Sequence, residues 1–373
     1  MAVAPSGTRA AAAPPDWALS YQASDYPPFA YTADVLVFSV NHATAGLEGL
    51  FIRRARPPFA RHDAFPGGFV EWGSDRSAEA AATRELREET GQTVLEYLEP
   101  LDTYDEIGRD PRQFSGHPER DGSWIATGAR IVSKAFLAVV RPEEAPPVVP
   151  EPGEDASDAF WRDVYQYLPW EDLRSPQGRA AVRELRRRLV AGWARDAEPP
   201  DARQRAAAVA RLFGRRGLLG WNEERAPERL AMLMDAGLVE ESTRDQWGSP
   251  ARRLGGVAGV ALAFDHRRML ADAVGRLRGK MKYAPAALSA LLGPRITSVT
   301  LHRACEAIAG RPIHLANLRR AFATAGLLEE DGFLTGAAAG PGRPARQYRW
   351  ASGITEVRLD QALKIPWVPL TTR

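Results

Sequence analysis

The sequence predicts an α/β sandwich, followed by a helical insertion and a C-terminal winged helix-turn-helix domain. Three observations carry this. Apolar strand-like runs alternate with a charged helix up to about residue 170. From about 176 the period becomes helical, with a basic face. Near the end, two helices are followed by a basic hairpin. The 373 residues and 45% apolar content suffice for two or three domains with real cores.

The elements follow in order. Residues 1–27 read as a disordered Ala/Pro leader without a signal-peptide core. ADVLVFSV (33–40) and GLFIRR (49–54) read as strands with a turn-rich gap between them. PGG forms a turn, and a helix runs from Ser77 to about Thr90. Residues 93–106 and 129–140 read as further strands, separated by a long polar segment. Residues 28–172 then form the sandwich domain, and 173–255 the helical insertion or linker. Gly237 is placed to end a helix. Residues 256–352 form the winged helix. Its first helix starts at Asp265 as a cap candidate, with further helices near 297–309 and 314–325. Residues 353–373 are a tail. The single cysteine, Cys305, excludes a disulfide framework and reads as a core residue. No apolar run reaches membrane length, so a cytoplasmic protein is expected.

Charge is unevenly shared. Residues 251–373 carry 19 Lys or Arg against 8 Asp or Glu; the rest carries 30 against 39. A basic back third is the electrostatic footprint expected for a phosphate backbone.

The chemistry concentrates in GGFVEWGSDRSAEAAATRELREETG, Gly67 to Gly91. Glu85, Glu88 and Glu89 stand at i, i+3 and i+4, so they project from one helix face. Arg84 and Arg87 offset part of their repulsion. Hard cations such as Mg²⁺ (or Mn²⁺) take oxygen ligands from such clusters. A metal held there would lower the pKa of a bound water, and a free carboxylate would act as base. Gly67 and Gly68 permit a tight backbone beside them.

This stretch resembles the Nudix box of the MutT/Nudix hydrolases, G-x5-E-x7-R-E-U-x-E-E-x-G-U with U aliphatic. Arg84 to Gly91 matches every fixed position of its second half, and Gly68 the leading glycine. The box's first Glu is missing: Ser74 or Arg76 stands there, depending on the direction of counting, and the loop is longer by two. Gln92 replaces the closing aliphatic residue. The resemblance implies a Nudix α/β/α sandwich. It implies metal and proton handling by Glu85, Glu88 and Glu89, with Gly68 beside the metal and Arg84 in the catalytic group.

FAYTADVLVFSV, LFIRRARPPF, FPGGFVEWG and RDPR (109–112) resemble the Nudix-related transcriptional regulators of NAD metabolism (NrtR). So do AFDHRRMLADAVGRLRGKMKYAP, GRPIHLANLRRAFATAGLLEE and GRPARQYRW. The likeness covers roughly residues 28–140 and 262–350. It implies ligand contacts from Arg53, Arg54, Phe69, Arg109 and Arg112. It places Asn317, Arg319 and Arg320 on a recognition helix, with Arg343 and Arg346 on the wing. An expansion at 113–127, with His117 and Glu119, and the insertion depart from that family.

Two functions follow as expectations. The unbroken carboxylate face puts first a Mg²⁺-dependent pyrophosphohydrolase that releases AMP from an NAD- or ADP-ribose-like dinucleotide. The basic back third and the lost Glu favour the alternative. That is a homodimeric regulator that senses such a nucleoside-diphosphate-linked molecule and binds double-stranded operator DNA.

Overall fold

The computed structural model describes residues 29–42, 44–113, 130–141, 156–215, 218, 220–245, 248–250, 256–333, 345–354, 356 and 362–370. The leader, His117 and Glu119 of the expanded loop, and Arg343 lie outside them. A seven-stranded sheet opens the chain. β1 (Phe29–Asn41) lies at its centre and pairs in parallel with β6 (Arg130–Val139). At one end β1 pairs with β2 (Gly46–Arg54), and at the other with the short β4 (Gly67–Phe69), both antiparallel. β3 (Asp63–Ala64) and β7 (Ala156–Asp163) add to β2, and β5 (Tyr97–Tyr104) to β6.

β1 explains the sandwich. Side chains alternate faces along a strand. Ala33, Val35 and Val37 face α1 (Ala78–Thr90), packing with its Ala81, Ala82 and Leu86. Leu36, Phe38 and Val40 face the other way, into a larger cluster. A strand buried on both faces reads as a continuous apolar run. That is why ADVLVFSV shows no clean alternation.

The larger cluster does not stop at the sheet. It takes in Leu185 of α2 (Pro176–Arg188), Val209 of α3 (Pro199–Leu212) and Leu230 of α4 (Ala226–Asp235). It continues through Met269 and Leu277 of α5 (His266–Tyr283). The segment expected as an insertion or linker is thus packed into the same core as the sheet. α5 is buried round most of its circumference, so it is a central helix rather than a surface amphipathic one.

Beyond α5 come α6 (Ala286–Leu292), β8 (Arg295–Thr297), α7 (Ser298–Ala309) and α8 (Leu315–Thr324). β9 (Leu328–Phe333) and β10 (Arg346–Trp350) complete a three-stranded sheet in the order β8-β10-β9. α6 and β8 are not in the sequence reading; each is too short to establish a period. Cys305 is fully buried, as a core residue should be. Among the described residues no helix is long and apolar enough to cross a membrane.

One ion cluster ties these parts together. Glu171, Arg229 and Arg278 are each fully buried. Arg229 donates to both Glu171 oxygens, at 2.5 and 2.7 Å, and Arg278 donates to Oε2 at 2.5 Å. Their remaining N–H groups reach backbone carbonyls of Asn222, Glu223 and Ile308. Burial alone would raise the Glu171 carboxyl; Arg229 and Arg278 hold it below the usual value instead. Removing one member of such a cluster strands buried charge, at a cost of about 3–5 kcal/mol. Glu171→Ala should therefore lower the denaturant midpoint steeply. Glu184→Ala, which loses only the surface pairs with Arg187 and Arg188, should leave it nearly unchanged.

Candidate functional site

The site forms where β4 and α1 meet the start of α5. α1 is closed at both ends by its own sequence. The Ser77 hydroxyl accepts from the Ala80 N–H at 3.1 Å, and Gly91 adopts φ 70. β4 presses against the helix. A Cβ on Gly68 would stand 2.3 Å from Glu85 Oε1, and one on Gly67 would stand 2.6 Å from the Ala33 carbonyl oxygen. At Gly67 the obstacle is backbone, so only glycine fits there; at Gly68 it is the movable end of the Glu85 side chain.

Arg84 organises the carboxylates. Its Nη1 lies 2.9 Å from Glu85 and 3.0 Å from Glu88. Its Nε and Nη2 donate to Asp75 at 3.1 and 2.9 Å, and Nη2 also donates to the Phe69 carbonyl. Asp75 was missed in the sequence. The carboxylate sought at Ser74 or Arg76 sits between them, and its bond from Arg84 holds its carboxyl below the usual value. Ser74 instead donates to Glu71.

Glu89 turns the other way. It is buried and accepts from the Gly67 N–H at 2.9 Å. Burial, helped by Glu85 and Asp34, pushes its carboxyl up to about 8 against that bond. It is therefore largely protonated near neutral pH. Among the described residues no three His, Cys, Asp or Glu side chains converge as a metal-holding group. In this arrangement Glu85 and Glu88 are held by Arg84, and Glu89 by the Gly67 N–H.

A cavity of about 270 Å³ opens beside Glu85 and Gly68. Arg54, Phe69, Arg109 and Arg112 line it, as the sequence led us to expect. Arg53 does not: it pairs with Asp63 at 3.0 Å and lies over Phe160, because strand alternation turns it away from Arg54. Arg56, Asp34, Asp110, Phe264 and His266 also line it and were not foreseen. The Arg112 guanidinium lies 4.8 Å from the Phe69 ring centre and 5.3 Å from that of Phe264. Arg54 lies 4.9 Å from Phe264. The rings suit a planar guest, and an anionic one would compete for Arg112 with Asp110, at 2.6 Å, and for Arg109 with Asp265.

The far wall comes from the start of α5. Asp265 occupies the N-cap position, but its side chain does not cap the helix. It pairs instead with Arg109, at 2.7 and 3.0 Å. His266 Nδ1 accepts from the Phe65 N–H at 2.9 Å, and its Nε2 lies 3.6 Å from Asp34. Asp34 accepts from Ser133, and burial raises its carboxyl against the pull of Arg109. The lone acid in ADVLVFSV was the one signal for it.

In the C-terminal part, Asn317, Arg319 and Arg320 stand exposed on α8, while Leu318 and Phe322 face inward. Arg346 on β10 pairs with Glu330.

The family model for the NUDIX domain matches residues 30–189. Residues 30–189 are a NUDIX domain. The match includes α2, which the sequence reading assigned to the insertion. Over 95 residues, 26% of this chain, the chain is 40% identical to the ADPR-responsive transcriptional repressor NtrR of Acinetobacter baylyi. It spans only 37% of that repressor's length. A MutT/nudix family protein from Enterococcus faecalis superposes with TM-score 0.52 and 20% identity, covering 90% of this chain and 91% of that one. That likeness shows a shared fold extending past the NUDIX domain. Shewanella oneidensis NrtR complexed with a 27mer DNA has TM-score 0.48 and 19% identity, covering 90% and 99%.

Burial holds His266 neutral, down to about 3 from 6.5. The unfolded chain protonates it first on acidification, so this part of the stability is lost as pH falls from about 6.5 to about 3. Unfolding free energies measured at pH 7 and pH 4.5 should differ less in His266→Gln, whose amide still accepts from Phe65, than in the wild type.

Proposed function

We propose that this chain is a transcriptional regulator. Its NUDIX domain binds a nucleoside-diphosphate-linked small molecule of the NAD or ADP-ribose class, and its C-terminal part binds double-stranded DNA as a winged helix. One observation carries the reading. Phe264 and His266, at the start of the helix that runs into the C-terminal part, line the cavity, and Asp265 between them pairs with Arg109 of its lining. A guest whose phosphates approach Arg109 meets the Asp265 carboxylate already there. Binding is thereby linked to where α5 begins, which a hydrolase does not require. The name of the Acinetobacter relative, an ADPR-responsive repressor, agrees with this.

The remaining elements take roles in this reading. Arg54, Arg109 and Arg112 contact the diphosphate, and Phe69 and Phe264 present rings to the base. The α7–α8 pair and the β9–β10 hairpin dock on DNA. Asn317, Arg319 and Arg320 face the groove, and Arg343 and Arg346 follow the backbone. The working unit is a homodimer in the cytoplasm, because paired half-sites need paired helices.

A second reading, hydrolysis with Mg²⁺ or Mn²⁺, rests on the unbroken Glu85–Glu88–Glu89 face. It requires Glu85 and Glu88 to leave Arg84 and Glu89 to lose its proton. Incubation with Mg²⁺ and ADP-ribose or NAD decides it. AMP release that is lost in Glu88→Gln supports turnover, and no AMP from either leaves the regulator alone.

The regulator reading is tested on DNA from upstream of the chain's own gene. Specific binding should respond to ADP-ribose or NAD and weaken steeply with salt. Arg319→Ala should weaken it by about tenfold and reduce the salt slope by about 1. Binding no tighter than to random DNA would sink this reading. Separately, Arg112→Ala should raise the ADP-ribose Kd by about tenfold in calorimetry, since it loses a phosphate contact and the platform between two rings.

A further inference from the structure

Residues 362–370, read from the sequence as part of a tail, are bonded to the C-terminal part. The Leu363 N–H donates to the Lys282 carbonyl, in the last turn of α5, at 2.9 Å. The Val368 N–H donates to the Pro312 carbonyl, and the His314 N–H to the Pro366 carbonyl, both at 3.0 Å. Trp367 pairs with Ile313 in an isolated antiparallel bridge. The segment therefore crosses the turn between α7 and α8. It is bonded to His314, the N-cap residue of α8.

Side chains hold it as well. Leu363 and Ile365 are buried. The Trp367 ring centre lies 4.6 Å from the Arg311 guanidinium and 5.7 Å from the Lys282 ammonium. Arg311 and Lys282 both pair with Glu223. Side chains of an extended segment alternate, so Lys364, between two buried residues, points outward and is exposed.

Lys364 thereby comes to lie beside α8. A trough of about 390 Å³ separates the two, with Ala362, Leu363 and Lys364 along one side. Asn317, Ala321 and Thr324 line the other; at i, i+4 and i+7 they form one flank of the helix. Arg320 lines the trough too. It is two residues from both Leu318 and Phe322, so it lies round the helix from those inward side chains. The lining thus offers two cations, an amide and a hydroxyl, and no carboxylate among the described residues. Neither Lys364 nor Arg320 makes an ion pair among the described residues. The C-terminal sheet differs: Arg346 meets Glu330, Arg349 meets Glu329, and Arg295 meets Asp331. An approaching anion therefore meets less competition at the trough than at the hairpin. A duplex that receives α8 in a groove carries phosphates along the helix's flanks.

We infer that residues 362–370 are a further part of the DNA-binding surface, in which Lys364 holds a backbone phosphate at the rim of the groove that α8 enters. This rests on the DNA-binding reading above. Arg320 stands between that phosphate and the bases, and the bonds to Lys282, Pro312 and His314 fix Lys364 relative to α8. Lys364 adds affinity without sequence preference, because a phosphate carries none.

Fluorescence anisotropy on the full chain, across a salt series, compares DNA from upstream of its own gene with a random duplex. Lys364→Ala should weaken binding to both by about fivefold at low salt and lower the salt slope by about 1. Lys364→Arg should keep the wild-type values. Arg183→Ala, which removes an exposed cation from α2, should change neither affinity nor slope. An unchanged affinity and slope in Lys364→Ala overturns the inference while the DNA-binding reading stands. So does a loss confined to the upstream DNA with the slope intact, which would mark a structural role. A wild type that binds the upstream DNA no tighter than the random duplex overturns both.

Discussion

Glu171 is the constraint on which the rest of the molecule depends. One buried carboxylate holds Arg229 of α4 and Arg278 of α5. It lies in the turn after β7, at the edge of the NUDIX sheet. Three chain segments therefore share a single counter-charge. Two guanidiniums without it would be buried and uncompensated, and a carboxylate without them likewise. The sheet, α4 and α5 are favoured together or not at all. The neighbouring turn is equally tight: a Cβ on Gly310 would stand 2.1 Å from the Glu171 carbonyl oxygen, so α7 ends against the same point. The cluster also fixes α5 along its axis. Arg278 lies twelve residues after His266, about 18 Å at 1.5 Å per residue. One region of α5 is set by Glu171, and its start by Arg109 and Phe65.

The carboxylate helix obeys a similar rule at the surface. Three Glu residues on one face repel one another unless something positive stands between them. Arg84 does so for Glu85 and Glu88, and is itself held by Asp75. Glu89 escapes the repulsion by burial and protonation. One guanidinium and one proton thus offset part of the helix's charge from within the protein. Because Arg84 also donates to the Phe69 carbonyl, the same guanidinium sets the position of the aromatic at the cavity mouth.

Local order was legible in the sequence, and long-range contact was not. The span of α1 follows from Ser77 and Gly91, and β1 and β6 from their apolar runs. Arg54, Phe69, Arg109 and Arg112 follow from the family resemblance, and they meet at one cavity. Asp75 escaped because a fixed spacing points to 74 or 76, whereas a lengthened loop folds back by its own geometry. Phe264 and His266 escaped for a deeper reason. His266 meets Phe65 across 201 residues, and no period or motif connects them. Asp265 shows how a local rule is overridden. A good cap residue in the cap position gave its side chain to Arg109, because an ion pair at 5% and 15% exposure outweighs one backbone N–H.

The basic back third also looks different once its partners are known. Counted in the sequence, 19 cations against 8 anions make a strong field. In the fold, Arg267, Arg278 and Arg311 are buried, and each serves an internal acid: Glu241, Glu171 and Glu223. Arg346 and Arg349 on the hairpin are matched by Glu330 and Glu329 on the facing strand. These charges hold the molecule together and contribute little to a field outside it. A sequence count therefore overstates the positive surface. What the count does predict is concentrated on α8, where Arg319 and Arg320 stand exposed beside Asn317, with the inward Leu318 and Phe322 fixing that face outward. Any electrostatic attraction for a phosphate backbone in this part of the chain falls more on that helix face than on the hairpin, whose described arginines each already face a carboxylate.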